Sequence, residues 1–188
     1  IRIDGAAEQP TALVQSAAMA SVPPPVPSYR PVLPKTLVRD GLLSAPQLES
    51  VIYAGNAHET HLKGLFKRGE IEGQLIAAAE GDEGAFRLRK GWFLGDGTGC
   101  GKGRQVAGII LDNWLQGRRR AVWVSKSDKL IEDARRDWMA LGGRESDIVP
   151  LSKFRQGSDI RLPEGILFVT YATLRSAERE GKAARLEQ

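Results

Sequence analysis

The sequence predicts an α/β fold in which a mainly parallel sheet is flanked by helices. Three observations carry that expectation. Short apolar runs at residues 92–94, 121–125 and 165–170 alternate with longer stretches of helical periodicity. Strands that alternate with helices in this way pair in parallel and are covered by the helices. Between the last two runs the periodicity is explicit, with Leu130, Ile131, Ala134, Trp138 and Leu141 recurring at three- and four-residue steps. Finally, a glycine-rich turn, GWFLGDGTGCGKGR at residues 91–104, leads from one apolar run straight into an amphipathic stretch.

The elements follow in chain order. Residues 1–40 read as an extended arm or linker, because SVPPPVP at 21–27, with Pro31 and Pro34 beyond, favours polyproline conformation and supplies few backbone donors. A folded domain is expected over residues 41–188. Its first helix starts at Ser44, where Ser44, Ala45, Pro46 and Gln47 have the form of a capping box with proline in the first turn. Leu48, Val51, Ile52 and Gly55 then share one helical face. Residues 62–90 are rich in glycine and charge and read as an insertion or hairpin, with a short helix at 74–79. A strand at 92–94 precedes the glycine turn, and the amphipathic helix occupies 106–115. The next strand is 121–125, after which Asp128 caps the periodic helix. Further strands are expected at 148–151 and 165–170, and a polar helix from about Ala177 to the end. Ligands of such sheets gather at the carboxyl ends of the strands, and the loops there begin near Gly95, Ser125 and Thr170.

Composition narrows the class without deciding it. The 188 residues are 41% hydrophobic and 27% charged, as in an ordinary globular protein with a real core. No apolar run approaches membrane-spanning length and no signal peptide is visible, so no membrane partner is expected. The single cysteine excludes an internal disulfide and suits a reducing cytoplasm. Net charge is +4. Residues 1–90 hold ten basic and ten acidic side chains, so the whole excess lies in the half that carries the glycine turn. Nucleic acid is compatible with that distribution, as is an ordinary surface.

The glycine turn carries the chemistry. Glycines let consecutive backbone N–H groups turn inward around an anion, and a helix N-terminus adds partial positive charge. Lys102 behind them would reach the outer phosphates of a nucleotide as a mobile point charge. The phosphate-loop pattern G-x-x-x-x-G-K-[ST] has glycine where this chain has Asp96, and serine or threonine where it has Gly103. The hydroxyl at that second position normally holds the nucleotide's Mg²⁺. The rival reading is a plain strand-to-helix turn with Lys102 as a solvated helix start. No G-x-G-x-x-G can be laid on residues 95–103.

Two other clusters are weaker. His58, Glu59, Thr60 and His61 fall one residue short of the H-E-x-x-H zinc pattern, and a solvated helix end explains them better. Arg118, Arg119 and Arg120 follow Gly117 at a helix end, where complementing the helix dipole is explanation enough.

These segments together resemble the strawberry notch family, and specifically its bacterial relatives with a P-loop nucleotide-hydrolase domain. The resemblance rests on LSAPQLE at 43–49, YAGNAH at 53–58, GWFLGDGTGCGKGRQVAGIIL at 91–111, RRAVWVSKSD at 119–128 and GILFVTYATLR at 165–175, and covers about residues 25–188. A G-K-G-R ending is usual there, which makes Gly103 an expected variant. Small residues are usual at the position of Cys100, so its thiol is read as a filler. The resemblance implies an incomplete RecA-like domain of a superfamily-two helicase or DNA translocase, with ATP and Mg²⁺ as cofactors and DNA as partner. Gly97, Thr98, Gly99, Cys100, Gly101, Lys102, Gly103 and Arg104 would hold the nucleotide. Gln47 would read adenine through its amide, or serve only as the acceptor of a capping box. Ser125 and Lys126 at one strand end, and Thr170, Tyr171 and Thr173 at the next, would touch the nucleic-acid backbone. Alternatively, Tyr171 and Thr173 simply open a helix.

Hydrolysis needs more than a phosphate cradle: an acidic pair must hold Mg²⁺ and orient the attacking water. No strand between Gly165 and Gln188 ends in such a pair, and Glu178 and Glu180 fall on the expected polar helix. The chain alone is therefore expected to carry no catalytic residue and no metal site of its own, and to be inactive. Other partners implied are a second RecA-like domain and, by resemblance to bacterial relatives, a methyltransferase domain of the same parent chain in the bacterial cytoplasm. A non-hydrolysing nucleotide-binding or regulatory module is the alternative.

Overall fold

The computed structural model describes residues 2–14, 16–71 and 73–175. Its elements are α1 (Ala17–Ala20), α2 (Lys35–Arg39), α3 (Ala45–His58), β1 (Leu65–Arg68), β2 (Leu75–Ala78), α4 (Lys102–Leu115), β3 (Arg120–Ser125), α5 (Ile131–Ala140), β4 (Ile148–Pro150), β5 (Gly165–Thr170) and α6 (Tyr171–Leu174). The polar helix expected from Ala177 lies outside the described residues. Two compact units divide the chain, one of Ile1–Leu13, Val32–Val51 and Asp96–Gln188, the other of Val14–Pro31 and Ile52–Gly95.

The first unit holds a three-stranded parallel sheet in the order β3-β5-β4. Alternation along the strands points Ala121, Trp123, Ile148, Ile166 and Phe168 into one core with Ala107 and Leu111 of α4 and Ala134 and Trp138 of α5. The rings of Trp114 and Trp138 join the two helices, their centroids 5.4 Å apart at 60°, a tilted geometry that aromatic pairs favour. Leu37, Leu43 and Leu48 complete the core. Asp112 of α4 is buried and its Oδ1 accepts the N–H of Val32 at 2.6 Å, fixing the segment that leads into α2. Helix α4 ends in a Schellman closure, with Gly117 N–H on Trp114 O and Arg118 N–H on Asn113 O, both at 3.0 Å. Arg118 caps this end further through Asn113 Oδ1 at 2.7 Å. On the opposite side of the sheet Val122 and Val124 of the edge strand β3 stay exposed, while Val169 of the central strand β5, paired with Val124, is buried.

The second unit contains an antiparallel hairpin, β1-β2, in which Leu65 faces Ala78 and Arg68 faces Leu75. The helix expected at 74–79 is thus a strand. A short apolar run is ambiguous between the two states, and here pairing with 65–68 decides. Ser28 donates through N and Oγ to Asn56 Oδ1 at 3.1 and 2.9 Å, and the Tyr53 hydroxyl donates to Pro25 O at 3.0 Å, so the proline-rich stretch is tied to α3.

Two local expectations are corrected. Residues 92–94 form no strand, and Phe93 is 88% exposed; a three-residue extended segment needs a ladder partner, and none of the described strands pairs with it. The cap after β3 is Ser127 rather than Asp128. Ser127 has extended backbone and its side chain accepts the N–H of Lys129, whereas Asp128 already lies in the first helical turn, Asp128–Leu130, that precedes α5.

Candidate functional site

The glycine turn occupies residues 96–101 of the first unit and runs without a break into α4, whose first residue is Lys102. Gly101 is the N-cap in left-handed conformation (φ 73°, ψ 39°) and offers no side chain to the free N–H groups of the first turn. A helix of 14 residues therefore presents its positive end, uncapped, at the glycine loop. This is the arrangement that accepts phosphate. The Lys102 ammonium folds back over the loop and donates to the carbonyls of Gly97 at 2.5 Å and Asp96 at 3.1 Å. Asp96, Gly97, Thr98 and Gly99 are exposed, and Cys100 and Gly101 half-buried.

A second layer holds this loop from beneath. Gln47 accepts the N–H of Ser44 at 3.1 Å through Oε1, which is the glutamine half of the expected capping box. Its Nε2 donates to Cys100 O at 3.4 Å. The Ser44 hydroxyl turns instead to Gln9 Oε1 at 2.6 Å. Gln47 thus joins the start of α3 to the loop, and a Cβ on Gly101 would run into its amide. Gln105, 1% exposed, donates through Nε2 to Asp96 Oδ2 at 2.9 Å and to Cys100 O at 3.3 Å, while its buried Oε1 has no partner. Asp96, at the first glycine of the phosphate-loop pattern, is therefore tied to the helix that follows the loop.

Gly103 has a spatial reason. A Cβ there would overlap Asp137 Oδ2 of α5, so neither serine nor threonine fits without displacing that carboxylate. Asp137 Oδ1 accepts from Arg104 Nε at 3.2 Å, and Arg104 Nη1 donates to Leu42 O at 3.0 Å. The guanidinium of Arg104, counted with the nucleotide residues from sequence, is engaged in this contact. Neither Asp137 nor Gln105 was legible as a site residue, since each reaches the loop only through folding; the one signal was negative, the glycine at position 103.

At the far ends of the strands, register pairs Ser125 of β3 with Thr170 of β5, so the two expected contact loops emerge side by side. Lys126 and Tyr171 are exposed. Thr170 is buried; its Oγ1 accepts the N–H of Thr173 at 3.2 Å as the N-cap of α6 and lies 2.9 Å from Thr173 Oγ1. Tyr171 and Thr173 therefore do open a helix, α6, with Thr170 as its N-cap. Thr173 also borders a cavity of about 380 Å³ shared with Asp128, Arg135 and Ser152. His58 closes α3, and His61 lies in an isolated bridge to Arg89. Among the described residues no group of three or more His, Cys, Asp or Glu could hold a metal ion by itself, and no helix is long and apolar enough to cross a membrane.

The chain is similar to Protein FORGETTER 1 of Arabidopsis thaliana, 34% identical over 183 residues, which is 95% of this chain and 12% of that protein. Likewise, it is similar to Protein strawberry notch of Drosophila melanogaster, 36% identical over 172 residues, 89% of this chain and 9% of that one. Human strawberry notch homolog 2 is 37% identical over 174 residues, 93% and 11% respectively. The chain thus spans about a tenth of the length of these eukaryotic relatives. No solved structure matches. The family model described as P-loop containing NTP hydrolase pore-1 matches residues 8–188, and this chain belongs to that family.

Proposed function

We propose that this chain is the ATP-binding portion of a DNA-dependent ATPase of the helicase or translocase type. One observation carries the reading: a glycine loop delivers Lys102 to the uncapped start of α4, with the ammonium resting on loop carbonyls from which a triphosphate would draw it. Gln47 lies against the same loop, where its amide would read adenine if it does more than cap α3. The γ-phosphate end would face Lys102, and residues 97–104 would line the phosphates. Mg²⁺ would accompany the nucleotide and neutralise phosphate charge. Because no described side-chain cluster holds a metal alone, the cation would share the phosphate oxygens.

Nucleic acid would run across the strand ends, over Ser125, Lys126, Thr170, Tyr171 and Thr173. The pairing of Ser125 with Thr170 supports this, because it brings exposed Lys126 and Tyr171 out side by side, although the Thr170 hydroxyl is itself buried in the cap of α6. Hydroxyl and ammonium donors suit contacts that ignore sequence, as a motor on DNA requires. Turnover is another matter. Among the described residues β3, β4 and β5 end in Ser125, Pro150 and Thr170, with no aspartate–glutamate pair at any of them. The chain by itself binds nucleotide and does not hydrolyse it. The acidic pair would come from a later strand of the parent chain, and a second RecA-like domain would supply an arginine finger.

Calorimetric titration with ATP tests the reading. The expected result is saturable binding that Lys102→Ala weakens about tenfold or more, with no phosphate release from either protein. Absence of ATP binding would overturn the proposal, and robust turnover abolished by Lys102→Ala would overturn its non-hydrolysing part. Gly103 also favours a second reading, a regulatory module that holds nucleotide and never couples it to DNA. Single-stranded DNA decides between the two: the motor reading expects it to shift ATP affinity about fivefold, the regulatory one expects no shift.

A further inference from the structure

The side-chain space at Gly103 is filled by a carboxylate. Residue 103 is where the phosphate-loop pattern places the hydroxyl that holds the nucleotide's divalent cation. Asp137 comes from α5, not from the loop, and its Oδ2 lies within overlap distance of the Cβ that a serine or threonine would carry. Three features make this an oriented group. Oδ1 is engaged by Arg104 Nε at 3.2 Å, and Arg104 is itself anchored on Leu42 O at 3.0 Å. The Asp137 side chain is only 16% exposed. The next residue, Trp138, is locked into the core against Trp114. Oδ2 takes no hydrogen bond among the described residues, which leaves its lone pairs free at the start of α4.

We propose that Asp137 replaces the missing hydroxyl as the protein's ligand to the divalent cation of a bound nucleotide. The inference rests on the nucleotide-binding reading above. A carboxylate oxygen is a hard donor of the kind Mg²⁺ prefers, and a glycine at position 103 is what lets it approach. Electrostatics gives the assignment its signature. Without a cation, a carboxylate beside the phosphates repels them and weakens binding; with a cation between them the repulsion becomes attraction. A purely structural Asp137 would act otherwise. It would complement the positive end of α4 and hold Arg104, and its loss would lower nucleotide affinity by the same factor with and without metal.

Calorimetric titrations of ATP, with MgCl₂ and with EDTA, separate these cases. In the unsubstituted chain Mg²⁺ is expected to tighten binding about tenfold or more, and in Asp137→Asn by less than about threefold, with metal-free affinity equal or higher. Equal losses in both buffers would overturn the proposal. A second variant decides the matter if the amide disturbs folding. Asp137→Cys in a Cys100→Ser background is expected to regain the tightening with Cd²⁺ but not with Mg²⁺, because thiolate selects the softer ion; no gain with Cd²⁺ over the Cys100→Ser chain overturns the assignment. Should the unsubstituted chain bind no ATP in either buffer, the nucleotide reading fails and this inference with it. If it binds ATP and Mg²⁺ tightens the unsubstituted and Asp137→Asn chains alike, only the role of Asp137 fails.

Discussion

The indole N–H of Trp138 donates to Asp147 Oδ2 across 3.0 Å inside the core. The same carboxylate accepts the N–H of Arg144 at 2.8 Å and the Arg144 guanidinium on its other oxygen. Burial alone would raise the Asp147 pKa, but these donors outweigh it and hold the carboxyl below its usual range. A depressed folded value means the stabilisation is complete above the unfolded pKa, near 3.9, and is lost as pH falls through the folded one. Asp147→Asn is therefore expected to cost about 1–3 kcal/mol at pH 7, and the deficit to shrink as the pH drops below about 4. Thermal melts across pH check this; a deficit as large at pH 3 as at pH 7 would rule out the ionised carboxylate as its source.

Gln47 has two jobs that a single substitution separates. Its Oε1 caps the start of α3 and its Nε2 touches the loop at Cys100. Gln47→Ala should lose about 1 kcal/mol of stability through the cap. If the amide also reads adenine, the preference for ATP over GTP should fall about tenfold. Competition of the two nucleotides, measured on the variant and the unsubstituted chain, gives the answer. An unchanged preference would confine Gln47 to holding helix and loop.

Lys126 stands exposed at the end of β3 beside the Ser125–Thr170 pair. Its replacement by alanine should weaken single-stranded DNA binding to a similar degree for any sequence and reduce the salt slope by about 1. Fluorescence anisotropy at several salt concentrations measures both. A loss confined to one base composition would mean that Lys126 reads bases rather than phosphates.

What could be read in the sequence was what lies within one window. The helix through Trp138 and the strand at 165–170 declare themselves because their core residues repeat at the period of the element that carries them. The phosphate loop is legible for a similar reason, since its glycines and lysine are contiguous. Residues 92–94 have the apolar character of a strand but no ladder partner among the described residues, and pairing is a property of two segments. The run at 74–79 suffered the opposite error, because its alanines and leucine favour a helix locally while the antiparallel pairing with 65–68 overrides that preference. Asp137 was invisible. Nothing local distinguishes it from the other acidic residues of α5, and only the packing of α5 on α4 brings it to Gly103.

That last contact makes a prediction opposite to the one the bare motif would give. Changing Gly103 to serine completes the lysine–serine ending of the phosphate-loop pattern, and on motif grounds alone it should improve Mg²⁺–nucleotide binding. In this fold the new Cβ would overlap Asp137 Oδ2, so the carboxylate must swing away, and the Arg104 pair at 3.2 Å must open with it. Strain of this kind costs about 1–3 kcal/mol. Gly103→Ser is therefore expected to lower the melting temperature and to weaken Mg²⁺–ATP binding rather than strengthen it. Pairing it with Asp137→Ala removes the clash, and the double variant should recover part of the stability lost by the serine alone. A double-mutant cycle on melting free energies measures this directly: contacting residues couple by about 0.5–3 kcal/mol, independent ones by less than about 0.5. Additive effects would mean that Gly103 and Asp137 do not share this space.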